Sequence, residues 1–259
     1  LIEVDKADLV DLPDLVDHLA SAWSFTVTGL YDEGTEALVL AVELQDGTPA
    51  VLKAVLARDD LSADHEALVL RLAAGGSCAE LLRWDADHGV LLLERLGPSM
   101  ASLGLPPHER LRLLADTARQ VWRPAAGHGL VTGAEKARWL HEAVATRWDE
   151  LDRPCRERTI DHAVRCAERR AAAHDDERAV LCHGDVHQWN ALQADDGFKL
   201  VDPDGLLAER EYDLGVLVRG DGSGEFQHVA EVLNACRKAG ISELGVAVTT
   251  EKPPSAQRR

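Results

Sequence analysis

Basic residues are scarce in this 259-residue chain: 28 Lys and Arg face 45 Asp and Glu, leaving a formal net charge of −17 at pH 7. Such a surface repels a phosphate backbone, so no nucleic-acid partner is expected, while a cationic small molecule would be favoured. Long apolar runs are missing too. The longest candidates, such as Ala37–Val42, are strand-sized, whereas a membrane span needs about 18 or more apolar residues. No membrane partner is expected. Five cysteines (Cys78, Cys155, Cys166, Cys182 and Cys236) are an odd number and contain no Cys-x-x-Cys. Neither a disulfide framework nor a zinc site is therefore predicted. The opening Leu1-Ile2-Glu3-Val4-Asp5 lacks the basic start and apolar core of a signal peptide. It also lacks an initial Met, as a fragment or trimmed product would. These absences predict a reduced, cytoplasmic protein.

Two further scarcities point at particular residues. Lysine occurs six times, at Lys6, Lys53, Lys136, Lys199, Lys238 and Lys252, and asparagine only at Asn190 and Asn234. What the chain does have is 46% apolar residues, enough for a large domain or two lobes with a buried core. Residues 13–20 predict a helix, with Pro13 at its start and Leu12, Leu15, Val16 and Leu19 on one face. The period then shortens. Phe25–Leu30, Ala37–Leu44 and Pro49–Leu56 read as strands joined by Gly-containing turns, followed by a helix near 61–74 and an apolar strand Gly89–Leu93. From Pro106 the pattern is mostly helical, with apolar stripes at 111–122, 140–151 and 160–167. Short strands return at 179–182, 191–193 and 198–201. The prediction is an α+β chain: a β-rich lobe over 1–96, a helical lobe over 97–220 and an atypical segment over 221–259.

The strongest chemical signal is His183-Gly184-Asp185-Val186-His187-Gln188-Trp189-Asn190, followed by a hairpin and Val201-Asp202-Pro203-Asp204-Gly205. Phosphoryl transfer to a hydroxyl needs an acceptor for the hydroxyl proton and oxygen ligands for magnesium on the nucleotide phosphates. A loop Asp, an Asn five residues on and a second Asp beyond the next hairpin supply all three. With asparagine this rare, His-Gly-Asp-x4-Asn arises by chance in fewer than about one such chain in a thousand. A phosphate-neutralising Lys held by an acid should accompany it. Lys53 lies in an otherwise apolar strand, and Glu66 sits early in the next predicted helix. Alone, the two read as an edge Lys and an ordinary helix Glu; beside Asp185 they read as a pair.

From Leu181 to Arg219 the chain resembles the aminoglycoside phosphotransferase superfamily of kinase-like enzymes. The wording Leu200-Val201-Asp202-Pro203-Asp204-Gly205-Leu206 and Glu211-Tyr212-Asp213-Leu214-Gly215-Val216-Leu217-Val218-Arg219-Gly220 is most similar to its streptomycin 6-phosphotransferase/hydroxyurea phosphotransferase branch. This resemblance covers roughly 20–220. It implies a two-lobed protein-kinase-like fold and ATP-dependent phosphorylation of a small-molecule hydroxyl, with an aminoglycoside such as streptomycin as acceptor and antibiotic resistance as the outcome. Matching positions imply Asp185 as base, Asn190 and Asp202 as magnesium ligands, and Lys53 on the phosphates with Glu66 behind it. Backbone groups around Glu94 and Leu96 would bind adenine. A related kinase acting on hydroxyurea or another alcohol, and an inactive nucleotide-binding remnant, are the alternatives.

The remaining polar residues have plainer readings. His183 and His187 read as a metal ligand or general base or, more plainly, His183 as a brace of the loop and His187 as a structural residue, and Asp213 reads as a tie on the loop backbone. Asp204 reads either as an aid to a second magnesium or as the cap of an Asp-Gly turn. Gly34-Thr35 reads as a turn, or as a source of N–H groups for phosphate. The acids Glu142, Asp149, Glu150, Asp152 and Asp161 read as a solvated helix face or as partners of a cationic acceptor. Residues 221–259 depart from the family pattern and are similar to the helix–strand end of biopolymer-transport proteins, with a tail over 251–259 predicted to be disordered.

Overall fold

The computed structural model describes residues 12–31, 37–55 and 63–220. Gly34-Thr35 and the segment 221–259 lie outside the described residues. Helix α1 (Leu12–Trp23) is followed by strands β1 (Phe25–Tyr31), β2 (Ala37–Leu44) and β3 (Pro49–Val55), then helix α2 (Ala63–Ala73) and strands β4 (Leu81–Asp85) and β5 (Val90–Glu94). The strands form one antiparallel sheet in the order β1-β2-β3-β5-β4.

The period of two along β3 sorts its side chains between two cores. Leu52 pairs with Leu40 on β2 and with Leu92 on β5. These three leucines share a cluster with Leu19 and Phe25, onto which Leu12, Leu15, Val16 and Trp23 of α1 pack. Lys53, one residue on, pairs with Val39 and Leu91 and so lies on the opposite face. There Leu91 and Leu93 join Ala67, Val69 and Leu70 of α2 in the larger core. A one-residue slip would exchange the two faces and bury the ammonium under α1.

Beyond a short 3₁₀ turn (Met100–Leu103), the second half carries helices α3 (Pro107–Val121), α4 (Gly133–Glu150) and α5 (Glu157–Ala173). Strands β6 (Val180–Cys182), β7 (Ala191–Ala194), β8 (Gly197–Leu200) and β9 (Leu206–Ala208) and helix α6 (Glu211–Gly220) complete it. Pro107 opens α3, where its missing N–H costs nothing. A reciprocal cap between Thr132 and Glu135 opens α4. Leu111, Leu114, Ala118 and Val121 of α3 continue the core that α2 and β5 begin, so both halves share it.

Sequence periodicity does not predict β4 or β9. An irregularity between Leu81 and Arg83 breaks the alternation of β4. Strand β9 is three residues long and is defined by its pairing with β6, Leu207 opposite Leu181. The β7–β8 hairpin joins the halves. Gly97 N–H donates to the Gln193 carbonyl at 2.8 Å on one edge, and Leu200 N–H to that of Ser77 at 2.8 Å on the other.

Candidate active site

A cleft of about 620 Å³ opens between the sheet and the helical half, and its lining includes all seven predicted site residues: Lys53, Glu66, Glu94, Leu96, Asp185, Asn190 and Asp202. Strand β3 supplies Lys53, α2 supplies Glu66, and the loops flanking the β7–β8 hairpin supply the three others that carry polar side chains from the second half.

Lys53 Nζ donates to Glu66 Oε2 at 2.7 Å and to Asp202 Oδ1 at 2.8 Å. Burial works against the ammonium, but the two carboxylates outweigh it and its pKa is raised. Lys53 is therefore a cation fixed between the lobes. Burial pushes the Glu66 carboxyl up, with Lys53 opposing. Asp202 adopts a left-handed φ of +56°, a backbone state uncommon outside glycine, with its carboxylate on Lys53.

On the other wall, Asn190 Nδ2 donates to Asp185 Oδ2 at 3.0 Å and to the Asp185 carbonyl at 3.2 Å. His187 Nε2 lies 3.1 Å from the same Oδ2. The hydrogen bond from His187 leads the causes that lower the Asp185 pKa, ahead of burial, which opposes it. Asp185 is thus ionised at neutral pH.

The loop backbone has its own anchor. Buried Asp213 accepts the N–H of His183 at 3.1 Å, of Gly184 at 2.8 Å and of the Trp122 indole at 2.9 Å. This matches its predicted reading as a backbone tie. Burial raises the Asp213 pKa to about 6 against those donors, and lowers that of His183 to about 4. His183 is therefore a neutral brace whose Nδ1 accepts the Asp185 N–H at 3.3 Å.

Two glycines permit the approach of these loops. Gly184 has φ +90°, and a Cβ there would lie 2.7 Å from Asp204 Cβ. Gly205 has φ +58°, and a Cβ would lie 2.0 Å from Val69 Cγ2 on α2. The Gly205 carbonyl also meets His65 Nε2 at 2.8 Å. Helix α2 thus touches the Asp202–Gly205 loop directly.

At the linker, the Glu94 side chain is tied to its neighbours. Its Oε1 accepts Lys199 Nζ and the Glu80 N–H, while its own N–H bonds the Glu80 carbonyl at 3.0 Å. The Leu96 backbone makes no hydrogen bond to another described residue. Sequence reasoning missed Lys199, although its rarity as one of six lysines was the available signal. It also missed Tyr31, Ser99 and Trp189, which line the cleft. The acids Glu142, Asp149, Glu150, Asp152 and Asp161 do not reach it. All five are exposed, with Asp149 on Arg153 at 3.2 Å and Glu150 on Arg147 at 3.4 Å.

Comparison with solved structures shows the same architecture. A macrolide 2'-phosphotransferase from Brachybacterium faecium superposes with a TM-score of 0.60 at 17% identity, over 90% of this chain and 84% of that one. An aminoglycoside-3'-phosphotransferase of type VIII gives 0.58 at 21% identity, over 93% and 94%. The fold is the two-lobed protein-kinase-like α+β fold. In sequence, a hydroxyurea phosphotransferase of Kitasatospora aureofaciens is 33% identical over 220 residues, 83% of this chain and 63% of that protein. A streptomycin 6-kinase of Streptomyces glaucescens is 32% identical over 219 residues, 82% of this chain and 68% of that protein. The chain thus spans about two thirds of the length of these relatives. The family model for aminoglycoside/hydroxyurea antibiotic resistance kinases matches residues 22–234, past the predicted boundary at 220, and the chain belongs to that family.

Proposed function

We propose that this chain transfers the γ-phosphoryl group of ATP to a hydroxyl of a small molecule, with 1–96 as nucleotide lobe and 97–220 as acceptor lobe. One observation carries the reading: the Lys53 ammonium sits between Glu66 and Asp202 in the cleft that also holds Asp185 and Asn190. Lys53 meets the α- and β-phosphates, and Glu66 holds it there. The peptide groups of Glu94 and Leu96 face the adenine.

Asn190 and Asp202 offer the hard oxygens that suit magnesium, which takes one or two such protein ligands plus phosphate oxygens and water. When bound, magnesium supplies neutralisation of the charge on the β- and γ-phosphates. Asp185 accepts the proton of the acceptor hydroxyl as that oxygen bonds to the γ-phosphorus. The bond from this phosphorus to the β–γ bridging oxygen breaks, leaving ADP and a phosphate monoester, and Asp185 then releases the proton to water.

For the acceptor we favour a cationic aminoglycoside such as streptomycin. The carboxylates of Asp185, Asp202 and Asp204 at the cleft and the net charge of −17 support a cation. Hydroxyurea is the second reading, because the relative named for it is as similar as the streptomycin kinases. Retention of Lys53, Glu66, Asp185, Asn190 and Asp202 together argues against an inactive remnant.

The test measures ATP consumption against a panel of aminoglycosides and hydroxyurea, with the product mapped by mass spectrometry. Asp185→Asn should lower turnover by about 10²–10⁴-fold, the worth of a positioned base, while ATP binding and the melting temperature stay near wild type. Equal turnover of the two proteins would remove Asp185 as the base, and no turnover of any acceptor would sink the kinase reading.

A further inference from the structure

The Asp185 carboxylate is gripped on one oxygen only. Oδ2 receives Asn190 Nδ2–H at 3.0 Å and lies 3.1 Å from His187 Nε2. Oδ1 takes no hydrogen bond from another described residue. The direction of the His187 contact follows from the other ring nitrogen. His187 Nδ1 accepts the backbone N–H of Trp189 at 3.2 Å and of Asn190 at 3.3 Å. A nitrogen that accepts carries no proton, so the ring proton sits on Nε2. Nε2 therefore donates to Asp185.

The donors on Nδ1 belong to the turn that carries Asn190, so the same short loop sets the ring, the asparagine amide and the base. His187 is three-quarters buried in its side chain, whereas that of Asp185 is 41% exposed to the cleft. An aspartate without these two donors would turn freely through the broad well of its terminal torsion, presenting either oxygen. Alignment of a reacting group is worth several powers of ten in rate when it is set in advance.

We propose that His187 is a positioning residue which, with Asn190, holds Asp185 Oδ2 and leaves Oδ1 as the atom that takes the proton of the acceptor hydroxyl. The proposal rests on the kinase reading above for its chemistry, but its geometry stands independently of turnover. The proton passes from the hydroxyl to Oδ1 and then to solvent, and His187 keeps its own proton throughout.

Two measurements on the full chain decide it. Long-range ¹H–¹⁵N correlation of the histidine rings at pH 7, with His187 identified from the spectrum of His187→Gln, should show the tautomer protonated on Nε2. A ring protonated on Nδ1, or averaging between tautomers, overturns the proposal whether or not any acceptor is turned over. In steady-state kinetics, His187→Leu should lose about tenfold to a hundredfold in kcat, part of the ~10²–10⁴ that a positioned base contributes, with KM for ATP unchanged. His187→Gln keeps a neutral N–H donor and should regain most of the loss. Equal losses in both variants, a loss confined to KM for ATP, or wild-type kcat in both would overturn the role. If His187→Leu fails to fold, the tautomer and His187→Gln still decide. A wild type that phosphorylates nothing while showing the Nε2–H tautomer would sink the kinase reading and leave the geometry standing.

Discussion

Helix α5 carries a sharper apolar stripe than α2, yet the folded protein buries α2 and leaves α5 at its surface. Of the 11 residues in α2, six are buried: Ala63, Glu66, Ala67, Val69, Leu70 and Ala73. The 17-residue α5 buries none, and its main neighbour is α4. Amphipathic spacing establishes a helix and its inward side; it does not say how much protein lies on that side. The difference follows function as well. Helix α2 bears Glu66 and abuts Gly205, so its packing is coupled to the cleft, whereas α5 is anchored at its end by Arg170 on Glu209 at 2.8 Å, away from Lys53 and Asp185.

The largest effect should come from the buried helix. Leu70→Ala removes a fully buried side chain from the shared core and should cost about 2–5 kcal/mol in urea unfolding. Phosphoryl transfer should fall with it, because Glu66 rides on the same helix. Unchanged stability would dissolve the contrast between the helices.

A second variant sharpens the coupling of α2 to the Asp202 loop. Gly205→Ala places a Cβ against Val69 at a left-handed φ, and overpacking of this kind costs about 1–3 kcal/mol. Val69→Ala in the same chain should recover the steric part, so that the double variant is more stable than the sum of the singles. Strict additivity in a double-mutant cycle would show that the two residues do not press on each other.

The smallest effect belongs to α5. Val164 is half-buried on its inward side, and Val164→Ala should cost under about 1 kcal/mol, as for a site able to relax. ATP consumption should remain at the wild-type rate. A cost equal to that of Leu70→Ala would mean that α5 carries as much of the core as α2.

The same distinction separates what was legible in the chain from what was not. The helix stripes, the alternation in β3 and the His183–Asn190 loop are written in residues a few positions apart, whose relative directions follow from backbone geometry. Strands β4 and β9 were not legible. A bulge interrupts the first, and the second exists through a partner 26 residues away in sequence, Leu181 opposite Leu207. The acids of α4 and its following turn were compatible with a binding face or a solvated one, and only packing placed them outside the cleft.

Charge balance, helix and strand periods, the two rare asparagines and the spacing of Asp185, Asn190 and Asp202 were determined by the sequence alone, because each is local or compositional. Tertiary structure decided which groups meet. It placed Lys53 on Asp202 across 149 residues and Trp122 on Asp213 across 91, drew the Glu94 carboxylate onto Lys199, and turned His187 onto the Oδ2 of Asp185. Contacts of that kind depend on the packing of whole elements against one another, with side chains in the rotamers that close packing leaves open, and no short-range pattern encodes them.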